Sequence, residues 1–152
     1  MQVQEQKLDV RRLHDEAEKN AAPEPRFVRQ MDDWQNARQG DLLLIRVPTG
    51  ALKAEKPHAS RQLAPGSSQG SRHTAEAPAQ VFAPDGGNAA VLAEAGYDSR
   101  VCQPALIGPV IRSAQRFEVA HPEHAHLSLP KGDYCVLHQR DYESEAIQQV
   151  RD

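Results

Sequence analysis

The chain has 152 residues, a length that fits one domain, and its apolar fraction of 39% sits below the roughly 45–50% usual for globular domains, a reference that also counts glycine. A net charge of -3 excludes a generally basic nucleic-acid binder, and three Phe, three Tyr and one Trp are too few for a stacking platform. Two cysteines cannot build a disulfide framework, no apolar run approaches the roughly 20 residues of a membrane span, and residues 1–7 lack a secretory apolar stretch, so a reduced cytoplasmic protein is expected, with neither membrane nor nucleic acid as partner.

Residues 1–26 read as a helical arm and linker. Val10, Leu13 and Ala17 form a narrow apolar stripe on a helix from about Glu5 to Lys19, and Pro23 and Pro25 follow it. So thin a stripe is seldom stable alone in water, so the arm is expected to dock on a protein partner or on a second copy of the chain. Residues 27–152 read as a single β-rich domain. Phe27 to Arg38 suits a short helix or an irregular lead-in, and Gly40-Asp41 marks a turn.

Leu42-Leu43-Leu44-Ile45-Arg46-Val47 is the strongest strand signal, an apolar run between a Gly-Asp turn and Pro48. Its length and continuity predict a central buried strand over 41–47. A short edge strand is expected at Ser60–Ala64. Residues 65–78 are turn-rich, a strand follows over 79–83, and Pro84 to Asn88 turns again. Ala89–Ala93 suits either a strand or a helical turn, and 94–105 reads as irregular. Leu106-Ile107 and Val110-Ile111 are apolar pairs around Gly108-Pro109. Alternation then predicts strands over 115–120, 125–129 and 133–139, and a closing helix over 143–150.

Many short strands with Gly/Pro turns, and no helix–strand alternation, point to a mainly β fold. The expectation is an antiparallel sandwich or partly open small barrel with a helical N-terminal arm and a short C-terminal helix. Its core is expected to include Leu42, Leu44, Ile45, Val47, Phe82, Val119, Leu127, Leu129 and Val136.

Histidines are the one chemical feature above background. Of seven, three fall in His121-Pro122-Glu123-His124-Ala125-His126. If a strand begins at Ala125, His124 and His126 share a face, because side chains alternate along a strand. Neutral imidazole suits zinc, copper, iron or nickel, and His73 with Glu76 could add ligands. His-x-His pairs also arise by chance, and histidine serves as well in solvated or strand-end positions. The candidate binding residues are therefore His73, Glu76, His121, His124 and His126, with no catalytic set. Gly66 to His73 lacks the P-loop pattern, and Pro78 comes too soon for a phosphate-binding helix. Cys102 and Cys135 sit in no nucleophile signature, and both are expected as free thiols.

Gly40-Asp41-Leu42-Leu43-Leu44-Ile45-Arg46-Val47 resembles the Gly-Asp-Val-Leu-Leu strand of a family of small uncharacterised bacterial and phage-associated proteins. The run His121 to Leu127, with Leu129-Pro130-Lys131-Gly132-Asp133-Tyr134 and Gln139-Arg140-Asp141-Tyr142, is similar to that family's closing segment, roughly His-x-Glu-His-Ala-Pro, Leu-Pro-x-Gly-x-Tyr, Gln-Arg-Glu-Tyr. The resemblance implies a β-rich fold and no established activity. The family's middle loop carries Gly-His-x-His, and here Ser71 stands at the first histidine of Gly70-Ser71-Arg72-His73, which removes a ligand from any metal site carried over. The cupin His-x-His with a following Glu is not met in order. Two functions follow as expectations. One is a non-enzymatic binding or assembly module without cofactor. The alternative is a metal-binding, cupin-like β-barrel or a metal-dependent enzyme of that kind, with a divalent transition metal on the clustered histidines.

Overall fold

The computed structural model describes residues 26–64 and 72–139. The helix expected near residues 5–19 and the closing helix expected over 143–150 lie outside the described residues. The described chain is mainly β. Its strands are β1 (Arg26–Phe27), β2 (Asn36–Gln39), β3 (Leu42–Val47), β4 (Thr74–Ala75), β5 (Gln80–Phe82), β6 (Ile107–Ser113), β7 (Phe117–Ala120), β8 (Leu127–Leu129) and β9 (Gly132–His138). One short α-helix, α1 (Asn88–Glu94), and a 3-10 turn at Pro104–Leu106 lie between β5 and β6.

The strands form two separate sheets, of order β1-β8-β7-β4 and β2-β3-β9-β6-β5, and not a closed barrel. Every pairing is antiparallel except that of β1, which runs parallel to β8. The sheets face each other across one apolar cluster. Leu42, Leu44, Val81, Ile111, Tyr134 and Val136 enter it from the five-stranded sheet, and Ala75, Phe117, Val119, Leu127 and Leu129 from the four-stranded one.

Side-chain alternation explains why β3 reads as an unbroken apolar run. Leu42 and Leu44 point into the inter-sheet cluster, whereas Leu43, Ile45 and Val47 join a second cluster on the other face. Cys135 and Leu137 of β9 and Val110 of β6 belong to that second cluster, which Leu52, Ala89, Leu92, Cys102 and Leu106 complete. The single core expected from sequence is thus two cores sharing one sheet, with Ile45 and Val47 in the second and Phe82 partly buried against it. Both cysteines are free and buried. Burial raises the Cys102 thiol and pushes that of Cys135 up to about 12.

Local departures from expectation have local causes. Phe27 to Arg38 forms no helix; β1 and β2 take its two ends, and Trp34 between them holds a positive φ of 72°. Gly108-Pro109, which looks like a turn, lies inside β6, where the register to β9 shifts between Ile107 and Val110. Ala89–Ala93 is helical, as part of α1. The expected edge strand at Ser60–Ala64 is reduced to a bridge from Gln62 to Thr74. β8 begins at Leu127 rather than Ala125, which removes the premise that His124 and His126 alternate onto one face.

The inter-sheet cluster should carry more stability than the exposed rim. Leu44→Ala, at a fully buried position, is expected to cost about 2–5 kcal/mol in urea denaturation. Phe27→Ala, where the ring is 66% exposed and lies against Arg116, should cost about 1 kcal/mol or less. Equal losses would show that the cluster is not the stabilising core.

Candidate functional site

Three of the candidate residues, His73, His121 and His124, gather near the turn between β2 and β3. Gln39 pairs with Leu42, so Gly40-Asp41 is a two-residue hairpin loop. Gly40 holds a φ of +61°, the positive value such loops use at their first position. A Cβ there would stand 2.6 Å from Nε2 of His124, so the glycine also makes room for that ring.

Gln39 is buried and every polar group of its amide is engaged. Its Nε2 donates to the carbonyls of Val119, at 2.9 Å, and Ala125, at 2.8 Å. Two carbonyl acceptors fix the amide orientation, so Oε1 faces Nδ1 of His73 at 2.8 Å as an acceptor. The assignment follows from the hydrogen-bond network: His73 carries a proton on Nδ1. Its ring is fully buried, and Nε2 lies 3.6 Å from Oδ1 of Asp41, beyond hydrogen-bond range. The His73 ring holds the Asp41 carboxyl below its usual range, against the upward push of partial burial, and the charges of His73 and His138 and its own backbone act the same way as the ring.

His121 is buried beside His73, with ring centroids 4.4 Å apart. Its Nδ1 accepts the backbone N–H groups of Glu123, at 2.9 Å, and His124, at 3.1 Å, and so caps its own turn. A neutral His121 therefore carries its proton on Nε2, the nitrogen a metal would need as a lone pair. His124 packs against His121 at 4.4 Å and lies parallel to His73 at 6.1 Å. Among the described residues, no three His, Cys, Asp or Glu side chains are placed to hold a metal ion together.

The remaining candidates lie on a separate surface. His126, Glu76 and His121 line a shallow cleft of about 330 Å³, with Arg72, Thr74 and Ala120. Nδ1 of His126 is 3.9 Å from Oε1 of Glu118, an ion-pair distance. The structure thus brings His73, His121 and His124 into one ring cluster, and Glu76, His121 and His126 into one cleft. Sequence reading missed Gln39, Asp41 and Arg72. Gln39 precedes, and Asp41 forms part of, a turn that the sequence does mark, but nothing in the pattern separates a buried strand-end Gln from a solvated one.

A mainly β domain of two facing sheets, with a polar hub at the β2–β3 turn and a solvent-facing cleft beside it, is the class these features define. Residues 38–139 match the family described as a domain of unknown function, DUF8820, and the chain belongs to that family. No curated protein and no solved structure matches the chain. The matched segment takes in both the ring cluster and the cleft. No helix among the described residues is long and apolar enough to cross a membrane.

The Asp41 shift fixes a pH dependence. Its folded value lies below the ordinary 3.8, so its stabilising contribution is complete above that pH and is lost as pH falls through the folded value. Wild type and Asp41→Asn should therefore differ in urea midpoint at neutral pH and converge in acid. A difference that stays constant across the acidic range would show that the His73 ring does not favour the Asp41 carboxylate.

Proposed function

We propose that this domain is a non-enzymatic binding module that engages a protein partner through the cleft beside β4 and β7. The observation that carries this reading is the cleft's lining: Arg72 and Glu76 bring opposite charges to one solvent-facing surface, and His126 and Thr74 line it with them. Such a surface suits a polar peptide segment bearing both signs of charge, and recognition there needs no reacting group. The buried cysteines favour the same reading, since raised thiols make poor nucleophiles. The arm read over residues 1–26 supplies a second contact, to the partner or to another copy of the chain. The resemblance extends the proposal to an assembly in the cytoplasm of bacteria or their phages.

A second reading, a transition-metal site, draws on the gathering of His73, His121 and His124 and on Asp41 at 3.6 Å from His73. The capped Nδ1 of His121 argues against it.

Two measurements separate these readings. A photo-crosslinking amino acid at Glu76 or His126, in the full chain in its native host, should give one discrete adduct, and the same group at exposed Lys56 should give none. Absence of an adduct at both cleft positions would overturn the cleft as a contact surface. Elemental analysis of protein purified without a His tag should find no stoichiometric transition metal. One equivalent of zinc, iron or nickel per chain, lost on changing His124 to Ala, would establish the metal reading instead.

A further inference from the structure

The two sheets differ in how they are covered. Both faces of the five-stranded sheet carry apolar clusters, but the four-stranded sheet contributes to a cluster from one face only. Alternation along its strands fixes what the other face presents. Phe117, Val119, Leu127 and Leu129 point into the cluster, so Glu118, Ala120, His126 and Ser128 point outward.

That outer face has features a docked segment would satisfy. Phe27, at its edge on β1, is the large apolar side chain left exposed among the described residues, and the Arg116 guanidinium lies 4.0 Å from the centre of its ring. Beside Phe27, Ser128 of β8 and Ala120 of β7 make a floor of small side chains. Glu76 and Glu118 are exposed cross-strand neighbours: Ala75 pairs with Val119, and the Glu76 N–H donates to the Glu118 carbonyl at 2.8 Å. Like charges opposite each other on neighbouring strands are destabilising, so a cation brought by a docked segment is favoured there.

The chain itself brings such a segment to the border of this face. It enters the sheet at Arg26, the first residue of edge strand β1, so residues 1–25 reach the domain here. The other terminus leaves from the opposite sheet, where the Gln139 N–H donates to the Asp41 carbonyl at the β2–β3 turn. Residues 20–25 can span about 20 Å when extended, and β1, β8 and β7 together are about 10 Å across, so residues 5–19 can reach the whole of that surface. At helical spacing the Val10, Leu13, Ala17 stripe is about 10 Å long. Lys7 and His14 then flank it on one side, and Asp9 and Glu16 on the other.

We propose that residues 5–19 dock as a helix on the outer face of the four-stranded sheet of their own chain, with the stripe against Phe27, Ser128 and Ala120 and the Lys7 flank toward Glu118 and Glu76. The docking needs no external partner. That the docked arm then walls the neighbouring cleft, and so supplies its second contact, rests on the reading above.

The test places a photo-crosslinking amino acid at Glu118 in the purified full chain and maps the adduct by mass spectrometry. The adduct should join position 118 to residues 5–19, at the mass of one chain, with a yield unchanged by about tenfold dilution. The same group at exposed Lys56 should give no adduct to the arm. Leu13→Asp should lower the yield at position 118 about tenfold or more, and Asp15→Asn, on the far side of the helix, should leave it unchanged. If Leu13→Asp fails to fold, Val10→Asp takes its place. An adduct that misses residues 5–19, forms equally from Lys56, or survives the stripe variant would overturn the proposal. So would one formed only between two copies and lost on dilution, which would make the occupant the second copy's arm. Purified protein carries no partner, so these outcomes are separate from the host experiment: a second protein captured at Glu76, with no arm adduct at Glu118, overturns the docking alone.

Discussion

The amide of Gln39 fastens one end of the molecule. It sits at the last position of β2, in the five-stranded sheet, and its three hydrogen bonds reach Val119 of β7, Ala125 ahead of β8 and His73 ahead of β4. All three belong to the four-stranded sheet or its connections. A buried amide without partners costs several kcal/mol, so this network specifies one alignment of the two sheets. A one-residue slip of β2 would carry Gln39 to the other face and strand all three partners. The apolar cluster between the sheets supplies cohesion, but apolar contact has no direction; the amide provides it.

The neighbouring residues follow from that bond. With Oε1 of Gln39 facing Nδ1 of His73, the other ring nitrogen is directed toward Asp41. Gly40 then turns the hairpin with the one side chain small enough to leave His124 its place. His121 closes the turn that follows β7 by accepting two backbone N–H groups. Three of the seven histidines, His73, His121 and His124, pack together at this end of the fold. What faces solvent beside it is the mixed-charge cleft of Arg72, Glu76 and His126.

The strands announced themselves where pattern and burial coincide. β3 is a continuous apolar run because both its faces are covered, as both faces of β9 are, whereas β7 alternates with one face buried. β6 was hidden because Gly108-Pro109 carries a turn signature, yet a register shift accommodates it inside the strand. β1 and β2 were hidden because their residues, Arg26-Phe27 and Asn36-Ala37-Arg38-Gln39, have no strand periodicity; β1 forms by pairing with distant β8, and β2 by pairing with β3 across the Gly40-Asp41 turn. In the candidate site, histidine spacing singled out His121, His124 and His126, of which the structure groups His121 and His124 with His73. His124 and His126 diverge because β8 starts at Leu127, and His73 joins His121 and His124 only through the sheet pairing of β4 with β7. Long-range pairing of this kind leaves no local mark in the chain.

Equilibrium urea denaturation of Gln39→Leu tests the central role of this amide most directly. Leucine keeps the bulk but leaves the His73 Nδ1–H and the two carbonyls without this partner, each stranded group costing about 1–3 kcal/mol. A loss of at least about 2 kcal/mol is expected, as the sum of those penalties less any repair by water. A midpoint and slope unchanged from wild type would contradict the account, and would mean that the sheets are aligned by the apolar cluster alone.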